Sequence, residues 1–549
     1  MNNRWQSCLL GLGSVLSLAA PLAYASGAQD SCQNLQHIKL PGLTITQAQW
    51  EKAGPLPADP NSYLTGASGE HQVLPKHCLV RGELFPYKGV DNKRYATRFE
   101  VRLPVHWNHS FLFQGGGGMD GFLAPALGSI PAHQSTAKAA LVRGFAVASM
   151  DGGHIGRDAS FGFDQQARIN YAYQSIGEVT TAAKTIIRTF YSHSLTHSIF
   201  MGCSNGGREA MVAAQRFPTQ FDGVVIGDPG FHLSAASIGE AWDSQQLMSI
   251  APKNKAGQKI LANALTPSDL KLLSQSILNK CDALDGIKDG LINNFQQCHY
   301  NPAVLTCKNG QTSHCLAPAK VNVIKAIFKG VHNSQGKALY SSWPYDAGVS
   351  ASGWRLWKLG TSQTAKPNAL NITLGGDSLP HYFMTPPVKN YSSLDFNFDK
   401  DPARLAQTAA INDMTSTFLS TFFARGGKMI IFQGVSDPVF SADDIAAWYN
   451  SLVKDSSHGN LAKTQQSARL FMIPGMTHCG GGPALDNIDP LTSMQTWLNK
   501  GKAPAIIPAH GVDQLKGKSQ PLCPYPAYAR YIKGNPDKIT SYQCVEPQL

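Results

Sequence analysis

The chain has 549 residues, 43% hydrophobic and 15% charged, with a formal net charge of +11 and a pI near 9.0. That length exceeds one ordinary domain and leaves room for a large core with an inserted second lobe. The basic residues are scattered, with no Lys/Arg-rich run and no basic-aromatic interleaving. This argues against nucleic acid as a partner and leaves a mildly basic, solvated surface.

The first residues, MNNRWQSCLLGLGSVLSLAAPLAYASGAQ, carry Arg4, then an apolar run, then the small-x-small site Ala23-Tyr24-Ala25. They read as a secretory leader over residues 1–25, not an anchor, because the run is short and broken by Gly and Pro. No later segment has the length and apolarity to span a bilayer, so the expectation is a soluble protein, secreted or periplasmic. Of eleven cysteines, Cys8 leaves with the leader. The even remainder in an exported chain suggests five disulfides. No CxxC pair and no His/Cys cluster at zinc spacing occurs, so thiolate metal sites are not expected. Cys281–Cys298, Cys307–Cys315 and Cys523–Cys544 would close local loops, and Cys32–Cys78 would staple the N-terminal segment. Cys203 and Cys479 remain.

Residues 26–80 read as loop-rich, with Pro41, Pro55, Pro57 and Pro60. Strand patterns follow at 95–103, 110–114, 144–151, 197–201 and 221–227, with helical spacing at 178–191 and 208–217. Over 230–425 the rhythm changes. Helical stretches at 266–279 and 318–328 stand among four cysteines and aromatic-rich loops around Trp343, Trp354 and Trp357. A strand at 428–432, a helix at 441–452 and a strand at 468–473 then restore the alternation. The pattern predicts one α/β domain with a mostly parallel sheet, built from 26–229 and 426–549 and interrupted by an inserted lid over 230–425.

MGCSNGGREAM contains G-x-S-x-G, with Ser204 between an apolar strand and a helix. A sharp strand-to-helix turn lifts a serine hydroxyl to the sheet edge, and the helix N-terminus favours developing negative charge. With Ser204 as nucleophile the expected architecture is an α/β-hydrolase fold, whose chain order is Ser, acid, His. His478 follows a strand in a Gly-rich loop, and Asp437 follows the preceding strand. Asp228, also just after a strand, is the alternative acid. If Ser204 and His478 meet, Cys203 and Cys479 come within disulfide range and would pin base to nucleophile. The oxyanion hole calls for backbone N–H groups: Asn205, after the nucleophile, and Gly118 (then Gly117) in the run Gly115–Gly118. In CDALDGIKDGLI, three aspartates with Gly286 and Gly290 could wrap a hard cation or form a solvated turn.

These strings together resemble the tannase and feruloyl esterase family: G-C-S-x-G-G-R, G-x-S-D, P-G-M-x-H-C-x-G-G and C-P-Y-P occur in order over nearly the whole mature chain. The resemblance implies a triad of Ser204, Asp437 and His478, which ranks Asp437 above Asp228, and a Cys203–Cys479 disulfide. It also implies a lid calcium site of Asp282, Asp285 and Asp289 with carbonyls of Ile287 and Leu291, raising Ca2+ above the turn reading. Members cleave esters of plant phenolic acids or mono(2-hydroxyethyl) terephthalate, so the expected partner is a small aromatic ester or a phenolic ester of plant cell-wall material. Residues 359–388 contain Lys366 but no arginine, and include Asp377. That favours neutral phenolic esters over an acidic terephthalate. Trp354, Trp357 and Phe383 are the candidate ring-stacking residues. An acyltransferase or peptidase with the same triad, or a silent phenolic-binding protein, are the rival readings.

Overall fold

Nine strands form the central sheet: β1 (Leu43–Glu51), β2 (His77–Lys88), β3 (Arg94–Pro104), β4 (Ser110–Gln114), β5 (Ala146–Met150), β6 (His197–Cys203), β7 (Gly223–Gly227), β8 (Lys428–Gly434) and β9 (Ala468–Ile473). The structure, a computed structural model, describes residues 20–68 and 72–547. Most of the expected leader therefore lies outside the described residues; its remainder falls in helix α1 (Ala20–Asn34).

The spatial order is β1-β2-β3-β5-β4-β6-β7-β8-β9. The β1–β2, β2–β3 and β3–β5 pairs are antiparallel; every later pair is parallel. Sequence explains the split. β4, β5 and β7 are buried along their whole length and are mostly apolar, as strands covered on both faces are. Side chains alternate between the faces. Phe111, Phe113, Ile226 and Ile431 join one core cluster, while Leu112, Val225, Ile430 and Phe432 join the other.

β1 corrects the loop-rich reading of 26–80. In LTITQAQWE only Ile45 is buried, so an edge strand with polar residues outward carries little hydrophobic signal among its prolines.

Two helices flank β6: α2 (Ser175–Tyr191) and α3 (Asn205–Arg216). Between β7 and β8 the chain adds no strand to the sheet. It forms α4 (Leu233–Ile250), α5 (Pro267–Cys281), α6 (Pro318–Lys329) and α7 (Ser352–Lys358) instead. α5 starts where Thr266 and Asp269 cap one another, with Pro267 at the first position. This insertion has its own core, including Leu247, Leu273, Ile277, Ile324 and Trp354. Trp354 and Trp357 lie on α7, not in a loop as expected. Seven residues are too short a stretch for helical periodicity to stand out from aromatic composition.

All five anticipated cysteine pairs are disulfide-bonded, with Cα separations from 4.8 to 6.1 Å.

Candidate active site

β6 ends at Cys203 and α3 begins at Asn205, so the whole turn falls on Ser204, at φ 62° and ψ −125°. A non-glycine residue held there stores on the order of 1–3 kcal/mol of strain, which surrounding packing must offset. The turn also needs glycine beside it. A Cβ on Gly206 would lie 2.7 Å from the Gly116 carbonyl oxygen, and one on Gly115 would lie 2.7 Å from Gly206 Cα. The Gly115–Gly118 loop thus rests directly on the elbow.

The ends of β8 and β9 supply the partners. Ser204 Oγ lies 2.8 Å from His478 Nε2, and His478 Nδ1 lies 2.9 Å from Asp437 Oδ2. A carboxylate only accepts, so Nδ1 carries the proton and Nε2 accepts from the serine. Asp437 is fixed by the Val439 and Phe440 amides, which donate to its Oδ1 at 2.7 and 3.2 Å. Burial favours the neutral form of His478, but the charge and hydrogen bond of Asp437, with the charge of Asp228, outweigh it and raise the pKa above the ordinary imidazole value.

Asp228 does not touch the ring in the manner of Asp437. Its Oδ1 and Oδ2 accept from the Gly434 and Cys479 amides, each at 2.6 Å. The Cys203–Cys479 bond spans 276 positions and joins the residue before Ser204 to the residue after His478.

The amides of Gly118 and Asn205 find no protein acceptor among the described residues. Beneath them lies a network that the sequence motifs do not reveal. Arg208, fully buried, donates Nε to Asn205 Oδ1 at 2.7 Å and its two Nη groups to the Ala172 and Tyr171 carbonyls. The Tyr171 hydroxyl is 3.1 Å from both the Gly118 carbonyl and Asn205 Oδ1. Asn205 Nδ2 donates to Asp120, and the Gly116 amide donates to Glu209 at 2.8 Å. Burial pushes Glu209 up to about 7. The available signal was an Arg-Glu pair inside an otherwise small and apolar helix, GREAMVAA.

Of the three stacking candidates, only Trp357 reaches the triad. Its ring makes a T-shaped contact with His478 at 5.3 Å, and Phe440 makes another at the same distance. Trp354 is buried in the insertion core, and Phe383 is fully buried against Tyr382. Lys358, also buried, pairs with Asp243 at 2.5 Å and lies over Trp343. Unanticipated from sequence, Tyr63 stacks on His133, whose amide donates to the Cys479 carbonyl at 2.8 Å. Burial, and then the charge of His478, push His133 down to about 4, so a neutral imidazole flanks the site.

Asp282, Asp285 and Asp289 gather in the turn after α5, with Gly286 and Gly290 at positive φ. Backbone amides hold them: Gly290 donates to Asp282 at 3.0 Å, Asn293 to Asp285 at 3.1 Å and Leu291 to Asp289 at 3.1 Å. Burial, with the charge of Asp289, raises Asp285 to about 7. The chemistry of this donor set, oxygen only and rich in like charge, fits a hard cation. The described side-chain triplets whose ligand atoms all lie within 4.8 Å of one another are elsewhere, at Asp228/Asp437/His478 and Cys203/Asp228/Cys479.

Comparison with known proteins follows the same lines. A family model described as "Tannase and feruloyl esterase" matches residues 78–545. The mono(2-hydroxyethyl) terephthalate hydrolase of Piscinibacter sakaiensis is 37% identical, over 92% of this chain and 88% of that protein. Feruloyl esterase C of Talaromyces stipitatus is 26% identical over 98% of each chain. The crystal structure of feruloyl esterase B from Aspergillus oryzae superposes with a TM-score of 0.78 at 23% identity, covering 94% of this chain and all of that one, and shares the fold.

Proposed function

Since this chain belongs to the tannase and feruloyl esterase family and is an α/β-hydrolase-fold esterase acting on aromatic or phenolic esters, we propose that it works through an acyl-enzyme on Ser204. The observation that carries the proposal is the unbroken relay Ser204–His478–Asp437, at 2.8 and 2.9 Å, on a strained elbow. His478 Nε2 takes the Ser204 proton as Oγ attacks the ester carbonyl. Asp437 keeps the ring oriented and offsets the charge of the imidazolium. The Gly118 and Asn205 amides, lacking protein acceptors, receive the oxyanion. His478 returns the proton to the departing alcohol, then activates the water that frees the aromatic acid.

Two substrate classes compete. The 37% relative, a mono(2-hydroxyethyl) terephthalate hydrolase, supports a terephthalate monoester as the first class; the second is the hydroxycinnamate and hydroxybenzoate esters, supported by feruloyl esterase relatives at 26%. The second class is favoured by the absence of arginine from residues 359–388 and by Lys358 being already paired with Asp243. A panel of mono(2-hydroxyethyl) terephthalate, methyl ferulate, methyl gallate and chlorogenate, followed by chromatography with wild type and Ser204→Ala, separates them. Turnover that survives in the variant sinks the nucleophile assignment. Wild-type inactivity throughout leaves either an ester outside the panel or a binding protein, which ligand binding then separates.

Ca2+ in this proposal is structural, held by Asp282, Asp285, Asp289 and the Ile287 and Leu291 carbonyls. It would brace the turn that follows Cys281 and would take no part in the chemistry. Export is proposed from the leader pattern and the five disulfides, which persist in oxidising compartments. No described helix is long and apolar enough to cross a membrane.

A further inference from the structure

We propose that Asp228 is a positioning residue for the catalytic histidine: from the strand between nucleophile and acid, it holds the His478–Cys479 loop and sets a second carboxyl beside the ring, ready to ionise when the ring is charged. This rests on the triad reading above.

The sheet order makes the placement. Asp228 follows β7, which lies between β6, carrying Ser204, and β8, carrying Asp437. One ligand atom each of Asp228, Asp437 and His478 lies within 4.8 Å of the others. Asp228 is fully buried at φ 34°, so packing holds it in a conformation that non-glycine residues avoid. Its own amide donates to the Phe432 carbonyl at 3.0 Å, and the amides on either side of the triad, Gly434 and Cys479, donate to its carboxylate. The flanking backbone also grips the nucleophile, since Ser204 N donates to the Gly227 carbonyl at 3.0 Å and Gly230 N to the Ser204 carbonyl at 3.1 Å. One short segment therefore contacts the backbone around all three triad residues.

The carboxylate does more than tether. Its hydrogen-bond donors are backbone amides, and no lysine or arginine among the described residues forms an ion pair with it. The titratable groups facing it are Asp437 and His478, with His133 beyond the ring. Burial and the charge of Asp437 push its own pKa up to about 8, the mark of two carboxyls sharing one pocket, while the charge on His478 draws it back toward the ionised form. When Ser204 gives up its proton, the imidazolium forms beside both carboxyls and favours the ionised form of each.

The test is the pH profile of kcat/KM for Asp228→Asn, whose amide keeps the size but loses the charge. The acid limb should move down by about one pH unit. kcat should fall roughly tenfold, the equivalent of one pKa unit, with KM little changed. An acid limb in place, in a folded variant with its disulfide intact, overturns the proposal, because a purely structural role alters yield and Tm but not the titration of His478. Should Asp228→Asn not fold, Asp437→Asn gives the reading. With Asp228 as the remaining anion, its residual activity on an activated aryl ester should keep an acid limb at or above the ordinary histidine value of about 6.5. Burial alone would drop the limb below that value, which would equally overturn the proposal. Ser204→Ala runs alongside: full turnover there breaks the triad, whereas an inactive Ser204→Ala with an unmoved limb in Asp228→Asn breaks only the role of Asp228.

Discussion

Cys203 and Cys479, 276 positions apart, are bonded with their Cα atoms 6.1 Å apart, each directly adjoining a triad residue. The bond lies at the ends of β6 and β9, with β7 and β8 between them, and closes the site like a clasp. Replacing both with serine should lower stability by about 2–5 kcal/mol, since a long loop is released in the unfolded chain. Activity should fall beyond what stability explains, because the base is no longer held against the nucleophile. Denaturant titration with parallel kinetics checks both; unchanged kcat in the folded double variant would assign the bond to stability alone.

The pH dependence of ester hydrolysis should be set on its acid side by His478. The ring must be neutral to accept the serine proton, so activity is lost as pH falls through its pKa. That pKa is raised, because Asp437 and Asp228 overcome the effect of burial. The half-point should therefore lie above the ordinary histidine value of about 6.5. A profile flat down to pH 5 would mean that another group is the base.

Gly206→Ala places a methyl 2.7 Å from the Gly116 carbonyl oxygen. Backbone must shift, at a cost of about 1–3 kcal/mol. Because the shift moves the Gly115–Gly118 loop away from the elbow, kcat should drop more than KM rises. Steady-state kinetics beside a melting curve resolve the two effects.

Trp357→Ala removes the ring in T-shaped contact with His478. The cavity should cost about 3–5 kcal/mol and admit water to the base. A selective rise in KM for aromatic esters, rescued in part by Trp357→Phe, would mark it as a substrate-facing wall. Equal loss on aliphatic esters would mark it as support for the histidine alone.

Chelation tests the acidic turn. If Ca2+ neutralises Asp282, Asp285 and Asp289, a strong chelator should lower Tm and added Ca2+ restore it, by an increment set by concentration over Kd. Asp285→Asn should remove that response. A Tm indifferent to chelator would leave the turn held by its amides, which already bond each carboxylate.

Much of the site was legible because the chemistry sits in short strings at strand ends. G-x-S-x-G after an apolar run, an aspartate after the next-to-last strand and a histidine in a glycine-rich loop each need only local context. The disulfides that close short loops were equally local. What only the tertiary structure decided is non-local or weakly patterned. The edge strand β1 exposes most of its residues and so hides its period. Arg208, Asp120 and Tyr171 come from three segments and meet only beneath the elbow. Trp357 rather than Phe383 reaches the histidine because of how the insertion packs on the sheet. Asp228 resembles a triad acid in sequence, and only the lateral order of strands places it between nucleophile and acid. Sequence determines which side chains stand at strand ends; which strands become neighbours depends on long-range pairing and core packing, and that adjacency makes the site.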